Sequence, residues 1–199
     1  MKLRFSLSLS LRAGLVGAAL SWAVCGLAAG WNLQLLMQAL AKHHGGRADF
    51  TETKTLSILD KPIESSGELR FAAPDFLQMR TLKPKPQSLT LIGNQLTLET
   101  SGRSQQVDLR DHPGVAILID GIRATLDGDL GSLQRHYDLT LNGQAAHWTL
   151  TLVPRNAKAH QEISDIRISG HEGIVRTVAV EQADGDHSIM HILPATAPP

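Results

Sequence analysis

The sequence predicts a mainly β protein, with about eleven short antiparallel strands in one meandering sheet and a few short helices over it. Three observations carry that reading. Short runs alternate apolar with polar residues, as a half-buried strand does. Gly, Asn, Asp and Pro punctuate those runs at short, regular intervals. Apolar residues at helical spacing occur in only two places, at the start of the chain and in its middle.

Taken in order, Trp31–His43 (WNLQLLMQALAKH) places Leu33, Leu36, Met37 and Leu40 on one helical face, and Gly45-Gly46 ends the run. Strands follow at Ala48–Leu59, Glu64–Phe71 and Phe76–Thr81, the last two flanking Pro74, which cannot donate to a ladder and so marks a corner. Ser88–Ile92 and Gln95–Thr100 flank Gly93-Asn94, a short hairpin signal, and Arg103–Leu109 comes after Ser101-Gly102. From Pro113 to His136 the rhythm changes. Val115, Leu118, Ile119 and Ile122 suit a helix face, and Leu130–Arg135 suits a second short helix. Strands resume at Tyr137–Leu141, Ala146–Val153, Glu162–Ser169, Ile174–Gln182 and Ser188–Leu193, with turns expected at Asn142-Gly143, Gly170–Gly173 and Asp184-Gly185. A continuous sheet of this size must curl, split or close to bury its apolar face. Leu69, Phe71, Leu89, Leu91, Leu96, Leu98, Leu139, Leu141, Trp148, Leu150 and Leu152 are expected to line that inner side.

The first residues bound the compartment. Lys2, Arg4 and Arg12 precede an uncharged apolar run that ends in Ala28-Ala29-Gly30, the order of a secretory signal cleaved near Gly30. The run approaches the roughly 18 residues of a membrane span, but small residues close it and no basic cluster follows. Residues 31–194 then suit a single domain, with 195–199 a frayed tail. Cys25, the only cysteine, falls inside the signal, and Trp22-Ala23-Val24 before it matches a lipidation site poorly. A disulfide framework and a cysteine metal site are therefore not expected. The whole chain has 19 basic and 19 acidic residues, so losing the three basic ones leaves a slightly acidic domain with no basic stripe for nucleic acid.

Motifs of catalysis are not found. The chain has no Gly-x-Ser-x-Gly elbow, no phosphate-cradling glycine loop and no His-Glu-x-x-His. His187 and His191 are four apart on a strand, about 13 Å, too far to share a metal. Asp127-Gly128-Asp129 and Asp184-Gly185-Asp186 lack the spaced acids of a calcium loop and read as tight turns. No enzyme, metal or cofactor is expected.

Several stretches together resemble the periplasmic outer-membrane lipoprotein carrier (LolA) family. They are "ADFTETKTLSILDKPIESSGELRFAAPDFLQMR", "PQSLTLIGNQLTLET", "AILIDG" through "LQRHYDL", "NGQAAHWTLTLVPR" and "ISDIRISGHEGIVRTVAVEQADGDHSIMHI". They keep the family's order over residues 31 to 193. The resemblance implies an incomplete, unclosed barrel whose helices form a lid over an apolar cavity. Phe50, Leu118, Ile119 and Ile122 join the inner strand residues as candidate lipid contacts, and Leu33, Leu36, Met37 and Leu40 as the lid helix. It also implies a monomeric periplasmic carrier that takes an acylated cargo, a lipoprotein or glycolipid, from an inner-membrane exporter to an outer-membrane acceptor. A non-carrier scaffold of an envelope-lipid pathway is the alternative. The family's arginine before the Pro-Asn/Asp pair, which helps hold the lid shut, is replaced here by Ala73.

Overall fold

A computed structural model describes residues 30–195; the expected export signal, with Cys25, and residues 196–199 of the expected tail lie outside them. The first half runs α1 (Leu33–Leu40), β1 (Gly45–Thr55), β2 (Ile63–Ala72), β3 (Phe76–Lys83), β4 (Gln87–Ile92), β5 (Gln95–Thr100) and β6 (Arg103–Asp108). A 3₁₀ turn at Leu109–Asp111 leads into α2 (Pro113–Asp127) and α3 (Leu130–His136). The second half runs β7 (Tyr137–Gln144), β8 (His147–Pro154), α4 (Ala157–His160), β9 (Ile163–His171), β10 (Ile174–Gln182) and β11 (His187–Pro194).

All eleven strands form one antiparallel sheet in the order β6-β5-β4-β3-β2-β1-β11-β10-β9-β8-β7. Each half is a meander of consecutive hairpins. The halves join where β1 meets β11, in register from Ala48–Pro194 to Thr55–His187. β6 and β7 are the free edges, and the chain passes from one to the other through α2 and α3. The fold is therefore an unclosed barrel with helices spanning it, as the family resemblance implies.

Short-range chemistry explains the helices. Asn32 caps α1 by accepting the Leu35 N–H at 3.0 Å, and Asp129 caps α3 by accepting the Ser132 N–H at 2.9 Å. The Ser132 hydroxyl, together with the Ser132 N–H, holds the Asp129 carboxyl below the usual carboxylate range. Gly128 ends α2 at φ 70°, a conformation glycine adopts at no steric cost. It also has to be glycine because a Cβ there would meet the Met37 carbonyl oxygen at 2.3 Å. That close approach seats the end of α2 on α1.

The core divides unevenly. Over β7–β10, the buried faces of α1 and α3 and one side of α2 pack on Tyr137, Trp148, Leu150, Leu152, Ile166, Ile168, Val178 and Val180. Over β4–β6 a smaller cluster joins Leu91, Leu96 and Leu109 to Leu77, Leu89 and, from α2, Ala116 and Ile119. One helix thus bridges the two halves of the barrel. Val115, expected on the packed face of α2, is instead exposed, because the helix presents positions 116 and 119 to the sheet.

Candidate functional site

Opposite residues in a ladder share a face of the sheet, so the register defines rows across the inner surface. Phe71, Leu77, Leu91, Leu96 and Val107 form one row across β2–β6. Ala48, Leu69, Met79, Leu89 and Leu98 form the next across β1–β5. Phe50, Gly67, Thr81, Gln87 and Thr100 form a third, where the surface turns polar. The middle row is apolar throughout, and every member of it is only half-buried. At about 4.8 Å per strand it spans roughly 19 Å.

The expected site residues separate accordingly. Leu69, Phe71 and Leu98 lie on this open strip and, among the described residues, belong to neither core cluster; Met79 beside them was not anticipated, although its alternation with Leu77 signals it. Leu91 and Leu96, with Leu89 packed against them, are the part of the strip in the cluster that Ala116 and Ile119 of α2 join. Phe50 is buried at the centre of the sheet, beside Ile192 of β11. Trp148, Leu150 and Leu152 are fully buried beneath the helices, with Leu139, Leu141, Leu118 and Ile122 packed against the same cluster. Leu36, Met37 and Leu40 of α1 are buried there too, and Leu33 packs at its edge. The β7–β10 half of the barrel is thus filled by its own side chains, while over β1–β5 a smaller cluster leaves Ala48, Leu69, Met79, Leu89 and Leu98 half-buried.

Few polar ties hold α2 over the open half. The Arg123 guanidinium donates to the Gly93 carbonyl at 3.0 Å and to Asp120 at 2.7 Å, linking the helix to the β4–β5 turn. The Leu109 N–H donates to the Asn94 carbonyl of the same turn at 2.9 Å. On the filled side, the Tyr137 hydroxyl donates to the Ile117 carbonyl, and burial pushes that phenol well above its ordinary range. Next to Arg123 lies a small polar recess of about 220 Å³ bounded by Asp120, Asp127, Asp129 and His136. Burial raises the Asp127 carboxyl there, and the Arg123 charge opposes the shift. Among the described residues no group of three His, Cys, Asp or Glu side chains is placed to hold a metal, and no helix is long and apolar enough to cross a membrane.

A family model described as "Outer membrane lipoprotein carrier protein LolA-like" matches residues 25–197. No curated protein matches the sequence. Among solved structures, a LolA superfamily protein from Nitrosomonas europaea is similar, with 9% identity and a TM-score of 0.45, over 84% of this chain and 96% of that one. A DUF1329 family protein from Desulfovibrio piger gives 11% identity and a TM-score of 0.47, over 84% and 92%. The MucA/MucB complex of Pseudomonas aeruginosa gives 14% and 0.45, over 84% of this chain but only 58% of the chain matched.

Proposed function

Because this chain belongs to the LolA-like family of outer membrane lipoprotein carrier proteins, we propose that its open apolar strip carries the acyl chains of a lipoprotein or glycolipid between two membranes. The observation that carries this reading is the contrast within one sheet. The inner face over β7–β10 is sealed, while Ala48, Leu69, Met79, Leu89 and Leu98 stay half-buried with only part of α2 near them. In this reading residues 1–30 are the export signal, the domain works as a monomer in the periplasm, and cargo passes to it from an inner-membrane exporter and on to an outer-membrane acceptor.

The energetics suit the task. An acyl chain of about 16 carbons loses on the order of 12 kcal/mol when left bare in water, so it cannot cross an aqueous space alone. Aliphatic walls attract without direction and accept varied chains. α2 acts as the lid: over the open half only Ala116 and Ile119 join it to the smaller cluster, so rolling that face off the sheet, about the side held by Tyr137 and Leu118, uncovers Leu91 and Leu96 and lengthens the strip. Arg123 takes the part of the absent arginine at Ala73, tying lid to sheet through the Gly93 carbonyl.

Solvent extraction of the purified protein followed by mass spectrometry tests the carrier reading. Acyl lipid near one equivalent is the expected result, and a protein that extracts empty and takes up no added fatty acid turns the reading to the scaffold alternative. The lid makes a separate prediction. Arg123→Ala is expected to speed loading and release of a fluorescent fatty acid by about three- to tenfold in stopped-flow, since a charge-assisted hydrogen bond is removed. Unchanged rates in both directions exclude Arg123 as the tie.

A further inference from the structure

One rim of the β1–β6 half carries exposed apolar side chains beside a basic recess. The rim consists of the β1–β2 loop (residues 56–62), the β3–β4 loop (84–86) and the β5–β6 turn (101–102). The polar ties of α2 and the 3₁₀ turn go to the opposite end of these strands, at Gly93 and Asn94. The rim is therefore the uncovered end of the strip. Ile58 is 86% exposed, and Leu59 next to it and Leu82 at the end of β3 are exposed as well.

Scattered exposed leucines mean little, but these are held in place. The Ser57 N–H donates to the Asp186 carboxylate at 2.7 Å, fixing the loop next to Ile58. Leu82 is the extra residue of a bulge: Gly67 faces Thr81 and Ser66 faces Lys83, which leaves Leu82 between them without a partner position. Lys61, Lys83 and Lys85 stand in or next to the same loops, against Asp60, while the Asp186 carboxylate that holds Ser57 has Lys54 and His187 beside it. Beside Leu82 lies an open recess of about 500 Å³, with Arg80, Arg103 and the hydroxyls of Ser88, Ser101 and Ser104 on its walls and Glu99 among them; Arg80 also makes a long, solvent-exposed ion pair with Glu68 at 4.0 Å, which a phosphate can displace.

We infer that this rim docks the protein on an anionic bilayer. Ile58, Leu59 and Leu82 enter the boundary between headgroups and acyl chains, the lysines lie at the charged surface, and the Arg80–Arg103 recess takes a lipid phosphate. The chemistry favours lipid over a protein partner. Protein interfaces centre on Trp, Tyr and other large anchors in a continuous patch. Here the apolar groups are aliphatic, are divided between the β1–β2 loop and the β3 bulge, and are flanked by lysine. The purpose of docking rests on the carrier reading: the strip reaches this rim through the Thr81–Gln87–Thr100 row, so docking would hold its uncovered end at the membrane surface where exporter or acceptor stands.

Vesicle co-sedimentation tests the inference, using residues 30–199, which include every described strand and helix. Vesicles of phosphatidylcholine with one third phosphatidylglycerol are compared with phosphatidylcholine alone. Binding to the mixed vesicles is expected to be at least about tenfold tighter and to weaken in 0.5 M salt. The double variant Ile58→Ser/Leu59→Ser and the single variant Leu82→Ser should each lose about tenfold. Arg80→Ala/Arg103→Ala should reduce the preference for the anionic lipid. No binding to either vesicle, equal binding to both, or binding indifferent to the loop variants overturns the proposal. Fatty-acid uptake by the Ile58→Ser/Leu59→Ser protein keeps the two readings apart. Retained uptake with lost vesicle binding supports docking as a separate function of the rim, whereas a parent protein that binds vesicles but takes up no fatty acid defeats the carrier reading alone.

Discussion

Leu98→Glu is expected to abolish uptake of a fluorescent fatty acid while shifting the thermal midpoint by no more than about 4 °C. Leu98 is half-buried at the β5 end of the open row and packs into neither core cluster, so a carboxylate there keeps its water in the empty protein. Once an acyl chain lies on Leu89 and Met79, the same carboxylate has to be stripped of solvent beside hydrocarbon, at a cost of several kcal/mol. The charge therefore acts on the loaded state and barely on the fold. Leu69→Glu, on the same row at β2, should behave alike. Substitution at Leu91 or Leu150 is less informative, because both are buried in the core and a charge there unfolds the chain before binding is measured. Titration with the probe, alongside a melting curve, checks the prediction. Undiminished affinity in both Leu98→Glu and Leu69→Glu removes the strip as the binding surface.

Trp148→Ala carries the largest expected loss of stability, about 4 kcal/mol, or a fall of roughly 8–16 °C in thermal midpoint for a domain of this size. The ring is fully buried, and its Nε1–H donates to the Glu172 carbonyl at 2.9 Å. It lies so close over Gly170 that a Cβ there would meet it at 2.7 Å. Through that turn it also supports α1, because Gly173 lies directly under the Ala39 carbonyl. Removing the indole opens a cavity, leaves the Glu172 carbonyl without this donor and loosens the seat of α1 together. Calorimetry on the variant reads the combined effect, and a fall below about 3 °C refutes the role given to this residue.

Much of the architecture is legible in the sequence because hairpins are local. Gly93-Asn94 and Ser101-Gly102 fall at the turns observed, and positive φ at Gly93 and Gly102 explains the glycines. Where a local signal competes with pairing, pairing wins. Asn142-Gly143 reads as a turn, yet Gly143 stays in β7 opposite Trp148 and the chain reverses two residues later, at Ala145-Ala146. Gly45-Gly46 is expected to end the first helical run but instead opens β1, where the two glycines face Ala72 and Phe71. The α1 helix itself stops at Leu40, short of His43. The four-residue α4 is too brief to show a period, and neither it nor the 3₁₀ turn is visible beforehand.

The site is less legible than the fold. Alternation puts Leu69, Leu98, Leu150 and Leu152 on the inner face alike, since the period of a strand is the same whether a helix or water lies above it. Only the path of α2 and α3 distinguishes them. Ile166, Ile168, Val178 and Val180 carry the same alternation and are core residues, yet nothing in the text of their strands marks them as such. Arg123 is illegible for a different reason: its partner is a backbone carbonyl thirty residues away, and such an acceptor has no sequence signature.

The pairing of β1 with β11 also governs assembly in time. The strands nearest the two ends of the domain are neighbours in the middle of the sheet, so the meanders β1–β6 and β7–β11 can each form early but share no ladder until residues 187–194 arrive. Closing that seam spans nearly the whole chain, which gives the protein a high contact order and a slow final step. A polypeptide threaded through an export channel from its N-terminus would therefore stay incomplete until its last strand emerged, and would become rigid only on the far side.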